Sequence, residues 1–281
     1  MVWLTATFLC TIAFGSTASP PSSLPPLVET AVRESRALPL PERIDIISKS
    51  LLGLTYRLDP MGEGVLPDTD PLVQYEAFDC LTYVEEVLAL ALASESTSAS
   101  TLRRAFRYQA EIVSYAQRNH FMELQWIPSA IDHGYLTEIT KTLGETVSTT
   151  VEVTPTTWKK WRKRNQFKLT EDTRPVGTFT LDVLPLEDAL RAIDQFPSGS
   201  IVLSVHVPKQ NTPTLVSHLG FVVPGTQPTL RHASSLGPKK VQDTRLRTHL
   251  RRLQTAYKVW PMLGVVVLMP QEQGMRSFNA K

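Results

Sequence analysis

Cys80 lies at the start of an apolar segment and is the residue best placed for nucleophilic chemistry. Its segment, FDCLTYVEEVLALALAS over residues 78–94, predicts a buried helix with Asp79 at the N-cap and Cys80 at the first helical position. Phe78 and Tyr83 then occupy the two positions of a hydrophobic staple. The positive end of a helix dipole favours the thiolate, the reactive form of cysteine. A reactive thiol and an inert buried thiol both fit this pattern.

A thiol nucleophile needs an imidazole that accepts its proton, and the chain has six histidines. His218 in SHLGFVV and His232 in TLRHAS flank a turn rich in Pro and Gly, which predicts a β-hairpin. If Val223 faces Thr229, then Gly220 faces His232, and the two histidines are diagonal neighbours on one face at roughly 7–8 Å. Two ordinary strand histidines remain the alternative.

The other four histidines have simpler interpretations. His206 is predicted at a sheet edge, His133 in a turn before a glycine, and His249 on a solvated helical face among arginines. His120 lies in RNHFMELQWIP, residues 118–128, a segment with neither helical nor strand periodicity. Such a segment is typical of a binding loop or of a structural loop.

The surrounding elements predict a single α+β domain, with helices first and an antiparallel sheet after them. Residues 110–154 are rich in β-favouring types. Helices are predicted at 28–38, 41–52, 186–195 and 243–253, and strands at 146–153, 200–207, 217–223, 229–234 and 264–269.

Composition places the chain among ordinary globular proteins, with 42% hydrophobic residues and a net charge of +2. This charge predicts neither a nucleic-acid partner nor a membrane-surface partner. Residues 1–18 are uncharged and end in Ser-Thr-Ala, which predicts a secretory signal peptide and export to the periplasm or the exterior. A linker is predicted at 19–27, the domain at 28–270 and a tail at 271–281, with no membrane span. Cleavage would leave Cys80 as the remaining cysteine.

Four segments in this order resemble the NlpC-type papain-like cysteine peptidases, in their N-acetylmuramoyl-L-alanine amidase-like branch. They are FDCLTYVEEVLALA, RNHFMELQWIP followed by GYLTEIT, SHLGFVV, and LRHASSLGPKKV, within about residues 40–270. The resemblance implies a papain-like α+β fold, in which the nucleophile at a helix start packs on a small antiparallel sheet. It implies Cys80 as nucleophile, His218 as base and His232 as the residue that orients His218.

The resemblance also implies the surroundings of the thiol. Tyr56 in GLTYRLDP matches a tyrosine beside the nucleophile that is expected to help hold an oxyanion. Asp79 is expected beside the substrate, but Leu81 replaces the serine that helps related endopeptidases hold a free amine. The expected contacts of the loop with sugar or peptide come from Arg118, Asn119, His120 and Trp126, with Trp126 as a stacking surface.

The leading hypothesis is therefore a cysteine amidase that cuts between N-acetylmuramic acid and L-alanine in peptidoglycan or muropeptides, without a metal or organic cofactor. One alternative is an endopeptidase that cuts after D-glutamate in the stem peptide. A second is a zinc amidase that uses His120 and Glu123. A third is a non-catalytic cell-wall module that binds an anionic polymer through the basic stretches at 158–164 and 245–252.

Overall fold

The computed structural model describes residues 24–94 and 98–272, and its first half is mainly helical. Proline stands at the first or second position of the first two helices, where its fixed φ and missing N–H suit the first turn. Two very short strands, β1 and β2, connect this pair to the next helix. The elements are α1 Pro26–Ser35, α2 Leu40–Ser50, β1 Thr55–Tyr56, β2 Ala77–Phe78, α3 Cys80–Leu92 and α4 Ala99–Arg107.

The second half supplies most of the sheet. Its strands are β3 Leu136–Glu138, β4 Val147–Val153, β5 Gly177–Pro185, β6 Ile201–His206, β7 Val216–Val223, β8 Thr229–Ser234, β9 Lys240–Arg245 and β10 Met262–Pro270. Its helices are α5 Ile127–Asp132, α6 Pro155–Lys160, α7 Leu186–Arg191 and α8 Leu246–Ala256. A short π-helix at Met122–Trp126 precedes α5. Short 3-10 helices lie at Gln109–Glu111, Tyr115–Gln117, Thr140–Thr142, Arg164–Gln166, Glu171–Thr173 and Ile193–Gln195.

The strands form one mixed sheet in the order β2-β1-β9-β8-β7-β6-β10-β5-β4, with β3 also paired to β10. The β1–β2 pair is parallel and the other pairs are antiparallel. Every residue of β6 is buried, because helices cover both faces of the sheet. The α+β class predicted from the sequence is therefore confirmed.

Alternate residues of the central strands pack against different helices. Leu219 and Phe221 belong to the core that contains α3, whereas Val222 belongs to the core that contains α8. In α3, every residue from Thr82 to Leu92 is buried. Each fully buried Leu or Val side chain contributes ~1.5–3 kcal/mol, so burial in the core stabilises α3 far more than local propensity does.

The hairpin of β7 and β8 has the predicted register. Val223 pairs with Thr229, and a Cβ built on Gly220 would lie 2.7 Å from the Cβ of His232. Glycine is therefore required opposite His232. On the other side of β7, the register shifts by one residue, so that Ser217 forms a bulge just before His218. Bulges twist a strand and change the direction of its side chains.

Residues 110–135 differ from the β-rich prediction. They contain 3-10 helices, the π-helix and α5, and strand structure begins only at Leu136. Ala110 and Glu111 have φ of 48° and 58°, which a continuous strand does not allow. The strand predicted at 146–153 is present as β4.

Helix α8 begins later than predicted, because residues 243–245 complete β9. The reason is a long-range ion pair that the sequence does not reveal, in which Arg231 of β8 donates to both carboxylate oxygens of Asp243 at 2.7 and 2.9 Å. Helix α1 begins at Pro26, inside the predicted linker. The signal peptide at 1–18 and residues 273–281 of the predicted tail lie outside the described residues. Among those described, no helix has the length and hydropathy needed to cross a membrane.

Candidate active site

The start of α3 has the predicted capping arrangement. The Asp79 carboxylate accepts hydrogen bonds from the Thr82 amide and hydroxyl, each at 2.8 Å, and the Thr82 hydroxyl accepts from the Asp79 amide at 3.1 Å. Phe78 and Tyr83 form an edge-to-face pair with ring centroids 6.2 Å apart, and Tyr83 forms a second one with Phe221 of β7. Cap and staple together fix the first residue of the helix, Cys80, beside β7.

Cys80 is half-buried as a residue. The amides of Cys80, Leu81 and Leu219 form hydrogen bonds that favour the thiolate, and Leu219 directly follows His218. Burial outweighs them, and together with the neighbouring Asp79 charge it raises the pKa of Cys80 to about 12. The sequence, through the helix dipole, predicted a lowered pKa for Cys80. That prediction was wrong because desolvation is the larger effect at this helix start.

His218 and His232 are in direct contact. The Nε2 atom of His218 lies 2.6 Å from Nδ1 of His232, and Nε2 of His232 lies 3.0 Å from the hydroxyl of Thr244. The two rings are nearly perpendicular, at 77°. Because these hydrogen bonds use Nε2 of His218, its Nδ1 is the ring nitrogen that can accept a proton.

A third histidine, His249 of α8, completes a cluster in which His232 and His249 are buried and His218 is half-buried. Its ring centroid lies 5.7 Å from that of His218 and 5.8 Å from that of His232, and its Nε2 is 3.2 Å from the hydroxyl of Ser204. The prediction of a solvated His249 was therefore wrong. The signal was present in the sequence, because Leu246, Leu250 and Leu253 share the helical face that includes His249.

Burial holds all three imidazoles in the neutral form. It lowers the pKa of His218 well below the ordinary value of 6.5, that of His232 to about 4 and that of His249 to about 3. The nearby imidazoles lower the pKa of His218 further, because a second positive charge there would be repelled. The resting site therefore holds a neutral thiol beside neutral histidines.

Comparison with known families identifies the chain. A family model described as AmiA-like, N-acetylmuramoyl-L-alanine amidase-like, matches residues 46–256, well over half of the sequence. The chain belongs to this family.

Solved structures of other proteins have a similar fold. A Legionella pneumophila protein, LPG0564, is 22% identical with a TM-score of 0.74, over 86% of this chain and 93% of that one. An N-acetylmuramoyl-L-alanine amidase from Bacteroides uniformis is 21% identical with a TM-score of 0.62, over 83% of this chain and 99% of its own. No match was found among curated proteins. At these identities the structures show a shared fold.

In this AmiA-like chain, Tyr56 lies beside the thiol as expected. Strand β1 runs parallel to β2, and Tyr56 pairs with Phe78, two residues before Cys80. Burial and the neighbouring Cys80 and Asp79 raise the pKa of Tyr56 to about 12, while its hydroxyl forms a hydrogen bond with Ser235. Tyr56 is therefore protonated at neutral pH and available as a hydrogen-bond donor.

Arg118, a predicted substrate contact, is bound to the protein itself. Its guanidinium pairs with Asp59 at 2.8 Å, Glu63 at 3.1 Å and Asp68 at 3.5 Å, and it donates to the carbonyl of Met61. These contacts hold the acidic loop that precedes β2. The structure therefore gives Arg118 a different role, in which it neutralises three clustered carboxylates.

The other predicted loop contacts also face the protein interior. Trp126 is fully buried and donates from its indole to Glu85 of α3 at 3.2 Å, so the prediction of a stacking surface was wrong. Asn119 is buried and donates to the carbonyl of Phe106 at 2.9 Å, and Nε2 of His120 bonds with the carbonyl of Tyr115 at 2.7 Å. The segment is a structural loop.

The pair proposed as zinc ligands is not assembled. Glu123 is buried and accepts hydrogen bonds from the amides of Leu215 and Val216 at 2.5 and 2.6 Å, whereas His120 bonds with the carbonyl of Tyr115. Within the described part of the chain, no group of three or more His, Cys, Asp or Glu side chains is arranged to hold a metal ion.

The charge of Asp79 can be separated from its capping role. We expect Asp79→Asn to lower the pKa of Cys80, because the amide keeps the N-cap and removes the negative charge beside the sulfur. Alkylation by iodoacetamide at pH 8.5 should become roughly three- to tenfold faster. The control, Asp79→Ala, should also lose about 1 kcal/mol of unfolding free energy. Unchanged alkylation in a stable Asp79→Asn variant would show that the charge has no effect on the thiol.

Proposed function

We propose that this AmiA-like protein is a cysteine amidase that hydrolyses the amide between the lactyl group of N-acetylmuramic acid and L-alanine. The observation that carries the proposal is that His218 of β7 bonds with His232 of β8, while the next amide on β7, that of Leu219, bonds to the Cys80 thiol. A helix-start thiol packed on antiparallel strands also supports a papain-like, NlpC-type architecture. The uncharged leader supports export, with action in the periplasm or outside the cell.

Attack begins from a neutral Cys80 thiol and a neutral His218 imidazole. As the Cys80 sulfur bonds to the lactyl carbonyl carbon, its proton passes to Nδ1 of His218. The resulting imidazolium donates from Nε2 to Nδ1 of His232, whose own Nε2–H donates to Thr244. Because the pKa of His232 is lowered to about 4, this residue stays neutral and orients His218 without taking the proton.

The start of α3 supplies donors for the developing oxyanion. The Thr82 amide is used by the cap and the Tyr83 amide bonds to the Asp79 carbonyl. The amides of Cys80 and Leu81, which face the sulfur in the resting site, are therefore the two that can turn to the oxyanion. The Tyr56 hydroxyl can add a third hydrogen bond. Collapse of the tetrahedral intermediate breaks the C–N bond, and His218 returns its proton to the alanine nitrogen. Water then hydrolyses the thioester, releases the lactyl carboxylate and restores the thiol.

The cap favours an amidase over a stem-peptide endopeptidase. Recognition of a free amine would need an available carboxylate, but one oxygen of Asp79 binds Thr82 and the other accepts from the amide of Asp59 at 3.1 Å. Leu81, which stands where related endopeptidases have serine, packs partly buried against the core. Both observations support a substrate whose L-alanine nitrogen is still in amide linkage.

The neutral resting state predicts a characteristic pH profile. His218 must be unprotonated to accept the thiol proton, so kcat/KM should rise with pH through the lowered pKa of His218. Because the pKa of Cys80 is raised, kcat/KM should then stay level from about pH 6.5 to about pH 9. A thiolate–imidazolium pair would instead produce an alkaline limb near neutral pH. Such a limb, measured with a muropeptide substrate, would contradict the neutral mechanism.

The scissile bond is tested by weighing the products from defined muropeptides. The wild-type protein should release the whole stem peptide with a free L-alanine amine, and Cys80→Ala should reduce this rate by at least about a thousandfold. Ser217→Ala, which alters an exposed neighbour of His218, is the matched control and should retain most activity. Cleavage after D-glutamate would instead indicate the endopeptidase, and a product that persists in Cys80→Ala would exclude thiol catalysis.

A further inference from the structure

A basic cavity of about 490 Å³ lies between the end of α6 and the β6–β7 loop. Residues 160–163, residues 209–212, Thr214 and Trp260 line it, and the lining contains no acidic residue. We call it the basic cavity. The function proposed above does not use it, although residues 160–163 belong to the basic stretch at 158–164 that the sequence analysis named.

The aromatic walls of the cavity are held by the protein core. Trp161 packs on Phe121 and Phe167 with ring centroids 6.0 and 5.4 Å apart. Trp260 stacks on His206 at 4.0 Å, and its indole donates to the carbonyl of Val207 at 2.8 Å. His206 is buried, which corrects its predicted position at a sheet edge. The cavity is therefore preformed, so a ligand need not order its walls.

The cavity carries an uncompensated positive charge. Four cations, Lys160, Arg162, Lys163 and Lys209, are exposed around it, and none forms an ion pair with another residue in the described ranges. The whole chain has a net charge of only +2, so this is a local concentration. Such a concave, basic site attracts anions.

The cavity is connected to the catalytic base through β7. Thr214 lines the cavity, and the next two residues donate their amides to buried Glu123, which fixes the strand that leads to His218. Thr214 lies four positions before His218, which corresponds to ~13 Å of extended chain. An extended peptide covers ~3.3–3.6 Å per residue, so this distance corresponds to three or four residues of substrate.

Resting on the proposed function, we propose that the basic cavity is a subsite for carboxylate groups of the stem peptide beyond L-alanine. The N-acetylmuramoyl side of the scissile amide has no charge once its lactyl carboxyl is in amide linkage. The peptide side contains D-glutamate and ends in a carboxylate, so the anionic groups lie on that side. The subsite would select muropeptides with an acidic stem over short or amidated ones.

The test compares two substrates and two charge-matched variants. The substrates are an N-acetylmuramoyl tetrapeptide with free carboxylates and neutral N-acetylmuramoyl-L-alanine amide. The cavity variant is Lys163→Gln/Lys209→Gln, and the control is Lys49→Gln/Lys159→Gln, which removes two exposed lysines outside the cavity lining. We expect the cavity variant to raise KM for the tetrapeptide by about tenfold, with kcat unchanged. Its kinetics on the neutral amide should match the wild type.

Two kinetic results would overturn the subsite. One is that the cavity variant loses kcat/KM equally on both substrates, which would indicate a structural defect. The other is that the control variant loses as much kcat/KM on the tetrapeptide as the cavity variant does, which would indicate general electrostatic attraction between the protein and the substrate. If the wild type cleaves neither substrate, the proposed function fails. The subsite is then tested by calorimetric Kd values for the free stem tetrapeptide. If the subsite exists, the cavity variant binds the tetrapeptide more weakly than the wild type does, and the control variant does not. Unchanged tetrapeptide binding with lost binding of purified teichoic acid would assign the cavity to an anionic polymer and overturn the subsite.

Discussion

Two glutamates on the fully buried helix α3 impose the arrangement of much of the helical half. Glu85 and Glu86 are buried and therefore need partners, since removing one partner of a buried ion pair costs ~3–5 kcal/mol. Arg107 donates to Glu85 at 3.1 Å, and Arg103 donates to both oxygens of Glu86 at 2.5 and 2.7 Å. Trp126 also donates to Glu85. These bonds join α4 and the segment before α5 to the helix that begins with Cys80, the proposed nucleophile.

The same burial determines the chemistry at the start of the helix. Charged forms are disfavoured there, so the pKa of Cys80 is raised while those of His218, His232 and His249 are lowered. In the proposed mechanism the proton is therefore transferred during attack, and no thiolate–imidazolium ion pair exists beforehand. Charge appears only as the transition state forms, where the fixed helix-start amides and the protonated Tyr56 hydroxyl can stabilise it.

The sequence predicted what local rules determine. The cap at Asp79 follows from residue types at fixed offsets, and the pairing of His218 with His232 follows from a turn and strand alternation. The burial of His249 could have been inferred from its leucine-rich helical face. The role of Trp126 could not, because its partner lies 41 residues away on another helix. The raised pKa of the thiol also depends on packing from several distant elements, which a single segment does not reveal.

The central claim is that Cys80 forms a thioester with the lactyl carbonyl of its substrate. It is tested most directly by quenching the protein with acid during muropeptide turnover, weighing it intact and mapping any adduct by peptide fragmentation. We expect an N-acetylmuramoyl group on Cys80, without the stem peptide. An adduct that retains L-alanine and D-glutamate would contradict the proposed bond, and modification of another residue would contradict Cys80 as the nucleophile.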